Sequence, residues 1–285
     1  MKVLAIESSC DDTSIAIVND DKSVEFLETI NHRKFHKDLG GVIPEMAARQ
    51  HLEILDTLAK SIKKINFSKI SAIAATFGPG LIGGLIVGSS FAKGLSISKN
   101  IKLIPINHLQ AHLLSPRLVS EIKFPYLCLL VSGGNTALVL VKNSKSFITL
   151  GSTIDDSAGE CFDKVAKGLG LGYPGGPEIE RLALGGNIKK FKLPMPLTKR
   201  NNCEFSFSGL KTAALNTIKN NKKTKLFIRD FSASFQHTVS KVLEIKIINS
   251  FTILQKKNIK INDFSICGGV AANKYLNTEL QKLIS

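Results

Sequence analysis

The chain has 285 residues, 44% of them apolar, enough for one large or two medium domains with a real core. Its 38 Lys and Arg against 23 Asp and Glu leave a formal charge of +15, which suits a polyanionic partner, although only six of those cations are Arg and a Lys-loaded solvated face explains the charge equally well. Five scattered cysteines without a CxxC argue against a disulfide framework or a thiolate zinc site, and no apolar run reaches the roughly 20 residues of a membrane span.

In chain order, the pattern predicts strands over 3–7, 14–18 and 24–29, then a helix from Pro44 to Lys64. Pro44 suits its first position, and Met46, Leu52, Leu55 and Leu58 recur with helical spacing. A strand over 71–75, a Gly-rich helix over 81–98, a strand over 102–105 and a helix carrying His108 and His112 follow. After Pro125 the order restarts with strands over 126–131, 136–141 and 146–150 and a helix from Asp156 to Gly168. A Gly- and Pro-rich insertion, helices near 207–219 and 229–256, a strand over 264–267 and a helix over 270–283 complete the chain. The repeated order of three strands, helix, strand, helix predicts two lobes, 1–115 and 116–285. The second lobe stops where the first continues with a further strand and helix, so it is expected to be incomplete.

Three turns carry the chemistry. Glu7-Ser8-Ser9-Cys10-Asp11-Asp12-Thr13-Ser14 and Ser132-Gly133-Gly134-Asn135-Thr136 each join two apolar runs in hairpin fashion. Their small polar residues and backbone amides suit a phosphate or another oxyanion, and equally serve ordinary turns. Gly268-Gly269-Val270-Ala271-Ala272-Asn273 runs from a short strand toward a helix, a layout in which backbone approaches a nucleotide closely and Asn273 can hydrogen-bond it. His108 and His112, four apart, share one helical face, as a metal-binding pair or a solvated or core pair would.

Further motifs are His36 with Gly40-Gly41-Val42-Ile43-Pro44-Glu45, Arg49 with His51, Thr76-Phe77-Gly78-Pro79-Gly80-Leu81 and Asn107-His108-Leu109-Gln110-Ala111-His112. Asp155-Asp156-Ser157-Ala158-Gly159-Glu160, Phe162-Asp163-Lys164, Tyr173-Pro174-Gly175-Gly176-Pro177 and Phe205-Ser206-Phe207-Ser208-Gly209-Leu210-Lys211-Thr212 complete the set. In this order they resemble, over the full length, the TsaD family of bacterial tRNA N6-adenosine threonylcarbamoyltransferases.

The resemblance implies an α/β fold of two ribonuclease-H-like lobes, as in actin-like and sugar-kinase-like ATPases. It implies transfer of a threonylcarbamoyl group from threonylcarbamoyl-AMP to N6 of adenosine 37, just 3′ of the anticodon, in tRNAs reading codons that begin with A. By position it places metal ligands on His108 and His112, for one divalent ion per subunit, Fe(2+) or alternatively Zn(2+). Substrate contacts fall on Leu130, Val131, Ser132, Gly133, Gly134, Asp163, Gly176 and Asn273, and on Glu180 where the family has Asp. Asp11 is a candidate for orienting the adenylate phosphate or an ion, its alternative being a turn-stabilising Asx residue. The family's third protein ligand, an Asp, lies beyond Ser285. Implied partners are tRNA, a smaller TsaB-like paralogue and a TsaE-like P-loop ATPase, in the cytoplasm and without a membrane. A kinase of the same fold and a catalytically impaired binding subunit are the alternatives. A metallopeptidase is disfavoured because Leu109 stands where HExxH chemistry needs Glu.

Overall fold

The computed structural model describes residues 1–31, 42–62 and 65–284, the side chains at 59, 62 and 284 excepted, so His36, Gly40 and Gly41 lie outside the described residues. The chain divides into two compact units, Met1–His112 and Leu113–Ser285.

The first unit is built on a five-stranded sheet of order β3-β2-β1-β4-β5, with β1 Lys2–Glu7, β2 Asp12–Asn19, β3 Val24–Asn31, β4 Ala72–Gly78 and β5 Leu103–Asn107. β1 pairs antiparallel with β2 and parallel with β4, so the chain makes a hairpin and then crosses over through helix α1, Pro44–Ile62. Helix α2, Ile82–Lys99, joins β4 to β5, and α3, His108–Leu114, follows β5 directly. Alternation along β1 and β2 sends Leu4, Ile6, Ile15 and Ile17 into the core, where Leu55, Leu58, Ile73 and Ala92 meet them.

α1 is helical as the spacing predicts, but its buried stripe runs through Ala47, His51, Leu55 and Leu58. Met46 and Leu52, expected on that stripe, are exposed. The stripe follows i, i+4, i+8, i+11, and residues 46 and 52 fall to its flanks.

The second unit repeats the order in a four-stranded sheet, β8-β7-β6-β9, from β6 Tyr126–Val131, β7 Thr136–Asn143, β8 Ser146–Ser152 and β9 Asp263–Cys267. β6 pairs antiparallel with β7 and parallel with β9, as β1 does with β2 and β4. A short helix α4, Pro116–Val119, precedes β6. α5, Ala158–Leu169, opens two residues later than predicted because Ser157 caps it, its side chain accepting from the Glu160 amide. The predicted Gly- and Pro-rich insertion contains helix α6, Gly175–Ala183, whose start at Gly-Gly-Pro disguises it in the sequence. α7 is Ser208–Lys219, and α8, Lys225–Lys256, runs 32 residues with Thr224 as its cap. The predicted final helix is a 3-10 turn, Gly269–Ala272, followed by α9, Lys274–Ile284. Phe162, Phe205, Phe207, Phe231 and Phe235 fill the core between sheet and helices, beside Leu127, Leu129 and Leu138.

Candidate functional site

In the first unit, the turn between β1 and β2 is packed from within. Ser8 and Ser9 are buried, and Ser8 Oγ donates to the Gly84 carbonyl of α2 at 2.9 Å. A Cβ at Gly84 would lie 2.3 Å from Ser8 O and 2.9 Å from the His51 ring, and one at Gly88 would lie 2.0 Å from Ser8 Oγ. The glycines of this helix are therefore a fit to the turn. His51, fully buried, accepts at Nδ1 from Thr13 Oγ1 (2.7 Å) and donates from Nε2 to the Cys10 carbonyl (3.0 Å), a tautomer that the carbonyl dictates. Burial pushes the His51 imidazole below its ordinary pKa.

Glu7 closes β1 and Thr76 lies near the end of the parallel neighbour β4, so both face the same end of the sheet. Glu7 Oε1 accepts from the Ser9 amide at 2.6 Å, and Oε2 accepts from Thr76 Oγ1 and stands 3.4 Å from His108 Nδ1. Ser9 Oγ reaches the same nitrogen at 3.1 Å. Burial raises the Glu7 pKa, but hydrogen bonds from His108, Ser9 and Thr76 outweigh it and bring the carboxyl down to about 2. His108 and His112 meet edge to face, ring centroids 4.5 Å apart, on α3. Burial, and then the neighbouring His108, lower the His112 pKa.

This arrangement fits two donors of a metal centre. A carboxylate and a hydroxyl on Nδ1 of His108 fix that ring and orient its Nε2, the usual support of a metal-bound imidazole. His112, biased toward the neutral form, has a lone pair to offer, and imidazole suits iron or zinc. Among the described residues no group of three or more His, Cys, Asp and Glu converges to hold an ion. Asp11 sits half-buried in the same turn, next to the exposed Cys10.

The turn in the second unit is built differently. Ser132 N donates to Asn135 O at 2.8 Å and Asn135 N returns to Ser132 Oγ at 3.1 Å, so the turn closes on itself. Leu130 and Val131, at 2% and 1% exposure, place their side chains in the core and can offer a ligand only backbone. Gly133 and Gly134 face open space, with nothing within 4 Å of a Cβ on either. Behind them Ser157 Oγ donates to the Gly133 carbonyl, and a Cβ at Gly159 would lie 2.4 Å from Ser132 O. Gly268, at φ +97°, brings the β9 turn so close that its Cβ would lie 2.4 Å from Val131 O.

Around these turns stand the other candidates. Asp163 Oδ1 accepts from the Gly175 amide at 2.7 Å, tying α5 to the start of α6, where Gly176 has open space around its Cβ position. Glu180 Oε1, one helical turn further on, accepts from the Lys274 amide at 2.7 Å. Asn273 is buried and caps α9, Oδ1 accepting from the Leu276 amide at 2.9 Å while Nδ2 approaches Gln236 at 3.4 Å. The structure thus links Ser132 to Gly134, Asp163, Gly176, Glu180 and Asn273 through α5, α6 and the Gly268 turn, within one unit.

The sequence placed Glu7 and Ser9 in a turn suited to an oxyanion and Thr76 in a family motif, but gave none of the three a part in holding His108. The available signal was that Glu7 and Thr76 each lie near the end of an apolar strand. Nor did it assign Asp155, whose carboxylate accepts from the Phe207 amide (2.8 Å), Ser206 Oγ (2.5 Å) and Ser208 Oγ (2.7 Å).

Two sheets of this repeated order define an α/β protein with the fold of actin-like ATPases and sugar kinases. A ROK family protein from Streptococcus pneumoniae, solved in complex with sucrose, aligns with TM-score 0.56 at 14% identity over 100% of this chain and 86% of its own. Component A of (R)-2-hydroxyglutaryl-CoA dehydratase from Acidaminococcus fermentans aligns with TM-score 0.54 at 15% identity over 100% and 89%. At such identities the likeness is one of fold alone.

Residues 25–285 match the family described as TsaD: tRNA N6-adenosine threonylcarbamoyltransferase. A protein of that name from Wolbachia pipientis wMel is 49% identical over 286 residues, covering 99% of this chain and 85% of the relative. Another, from Rickettsia canadensis, is 47% identical over 281 residues, covering 96% and 82%. The chain belongs to the TsaD family and is a transferase.

Proposed function

We propose that the protein transfers a threonylcarbamoyl group from threonylcarbamoyl-AMP to N6 of adenosine 37 in tRNAs reading codons that begin with A. N6 attacks the carbamoyl carbon, a C–N bond forms, the C–O bond to phosphate breaks, AMP departs and one proton is released. Adenine N6 is a weak nucleophile, so the burden falls on alignment and on stabilising charge at the carbonyl and the departing phosphate.

The observation that carries this reading is the open, rigidly backed Ser132-Gly133-Gly134 turn among Asp163, Gly176, Glu180 and Asn273 in a chain of this family. Backbone at Leu130 to Gly134 would hold the adenylate phosphate, as amides in glycine turns do. Asp163 and Glu180 would accept from ribose hydroxyls, and Asn273 would hold the backbone that approaches the nucleotide. His108 and His112 would hold one divalent ion, Fe(2+) or Zn(2+), which when bound polarises a carbonyl or grips a phosphate. Glu7 and Ser9 would keep His108 in the orientation such an ion needs, and Asp11, in the same turn, would help to orient that ion.

A smaller paralogue of the same fold and a P-loop ATPase are the proposed partners. Met46, Leu52, Ile82 and Ile86 leave apolar side chains exposed on α1 and α2, which supports a protein partner for that unit. No described helix is long and apolar enough to cross a membrane. A tRNA substrate supports a cytoplasmic site of action.

The test is to incubate the chain and its partner proteins with transcribed tRNA and threonylcarbamoyl-AMP, and to assay digested nucleosides by mass spectrometry. Threonylcarbamoyladenosine is expected, and replacing both His108 and His112 by Ala is expected to abolish it. Absence of the modified nucleoside, together with tRNA-independent phosphorylation of a small molecule by ATP, would establish a kinase instead.

A further inference from the structure

α6 does not lead directly to the next element. From Leu184 to Cys203 the chain forms a long irregular strap with five cations, Lys189, Lys190, Lys192, Lys199 and Arg200, and no carboxylate. All five are exposed. Arg200 has an exposed ion pair with Glu204 at 3.7 Å, whereas Lys189, Lys190, Lys192 and Lys199 have no ion-pair partner among the described residues. A mixed surface usually neutralises its cations locally, and this one does not.

The strap is also held from beneath. Gly186 approaches α8 so closely that a Cβ would lie 2.6 Å from Arg229 O. Asn187 N donates to Asp230 Oδ1 (3.1 Å), Ser234 Oγ donates to Asn187 O (3.0 Å), and Phe191 N donates to Ser234 Oγ (3.2 Å). The Phe191 ring packs edge to face against Phe227 and Phe231, each 5.3 Å away. At the far end Lys246 of α8, 0% exposed, spends its ammonium on backbone: Nζ donates to the carbonyls of Leu197 (2.7 Å), Asn202 (3.1 Å) and Arg200 (3.2 Å) and to Asn202 Oδ1 (3.2 Å). Asn249 Nδ2 adds two bonds, to Arg200 O (3.0 Å) and Asn202 O (2.9 Å).

A buried cation without a carboxylate partner costs free energy to desolvate, and burial accordingly lowers the Lys246 pKa. The hydrogen bonds from Lys246 Nζ offset that cost, and they fix the loop that carries Lys199 and Arg200. A pinned backbone below and unneutralised cations above make a surface that meets a regularly spaced polyanion with little loss of backbone entropy.

We propose that the Lys189–Arg200 strap is a docking surface for the phosphate backbone of the tRNA substrate. It deepens the functional reading above and rests on it: the strap leaves the C-terminal end of α6, the helix whose first turns carry Gly176 and Glu180.

The experiment measures binding of a transcribed, unmodified tRNA to the full chain by fluorescence anisotropy across a NaCl series. A variant with Lys189→Ala, Lys190→Ala, Lys192→Ala and Lys199→Ala is expected to lose about 10- to 100-fold in affinity near 0.1 M salt. Its log–log salt slope is expected to shrink by about 2 to 4, roughly one per phosphate contact removed. Neutralising Lys219, Lys222, Lys223 and Lys225, an exposed cluster that runs from the last residue of α7 to the first of α8, is expected to change affinity less than about threefold. On unmodified protein, acetylation read by mass spectrometry is expected to show Lys189, Lys190, Lys192 and Lys199 protected by tRNA.

Equal losses from both clusters, or unprotected strap lysines, would overturn the strap as the docking surface. Strap-dependent retention on phosphatidylglycerol vesicles with unchanged tRNA affinity would assign it to a lipid surface instead. If the unaltered chain modifies tRNA and the strap variant does so with unchanged KM for tRNA, this inference alone fails; if the unaltered chain neither binds nor modifies tRNA, the functional reading fails with it.

Discussion

In the first unit the turn after β1 is closed by side chains: buried Ser8 and Ser9, a helix made thin at Gly84 and Gly88, and two histidines fixed through Glu7, Ser9, Thr13 and the Cys10 carbonyl. In the second unit the turn after β6 closes on itself, through the backbone of Ser132 and Asn135 and the Ser132 hydroxyl, and leaves Gly133 and Gly134 against open space. The strand order around the two turns is the same, yet one presents imidazoles and carboxylate and the other presents amides. One topology thus supplies two chemistries, depending on whether the helix packed on the turn brings side chains to it or backs it from behind.

The sharpest way to break this comparison is to add one methyl group. Gly268→Ala forces a positive φ on a residue with a Cβ and drives it into Val131 O, and about 4 kcal/mol of stability should be lost in urea unfolding. Gly84→Ala, against Ser8 O and His51, should cost about 3 kcal/mol. Gly133→Ala meets nothing and should stay within about 1 kcal/mol while weakening adenylate binding. A Gly133→Ala loss as large as that of Gly84→Ala would mean the second turn is as tightly packed as the first.

Glu7→Gln tests the side-chain half of the contrast. Loss of the charged acceptor at His108 Nδ1 should weaken Zn(2+) binding, measured by calorimetry, about 10- to 100-fold with little change in fold. Unchanged affinity would remove Glu7 from the centre.

Ser157→Ala tests the backbone half, since Ser157 caps α5 and donates to Gly133 O; about 1 kcal/mol should be lost, seen as a lower urea midpoint.

The smallest effect belongs to Asp155. Burial raises its pKa, but hydrogen bonds from Ser206, the Phe207 amide and Ser208 outweigh this and hold it below the ordinary 3.8. A carboxyl depressed by folding contributes its stability above the unfolded value and loses it as pH falls through the folded one. Asp155→Asn should therefore cost less than about 1 kcal/mol at neutral pH, the residue being exposed, and the gap to the unaltered chain should close as pH falls through the ordinary aspartate value and then through the lower folded one. A gap that is constant with pH would show that the charge contributes nothing.

The strands were legible because apolar alternation and β-branched residues mark them, and the His108–His112 pair because i, i+4 is a local rule. α6 was not legible, since Gly-Gly-Pro at its start resembles loop, and Ser157 as a cap showed itself only once the turn it holds was in place. Glu7 and His108 lie 101 residues apart, and Lys246 lies 49 residues from Leu197, so no local pattern could pair them.

By itself the amino-acid order settled the family and the doubled strand order and offered the candidate site residues, because hydrophobic period and motif spacing are properties of the chain alone. Which nitrogen of His108 is held, which glycines are spacers and which are openings, and what a buried lysine grips were decided only when distant segments packed. Each depends on distances of about 3 Å between groups far apart in the chain.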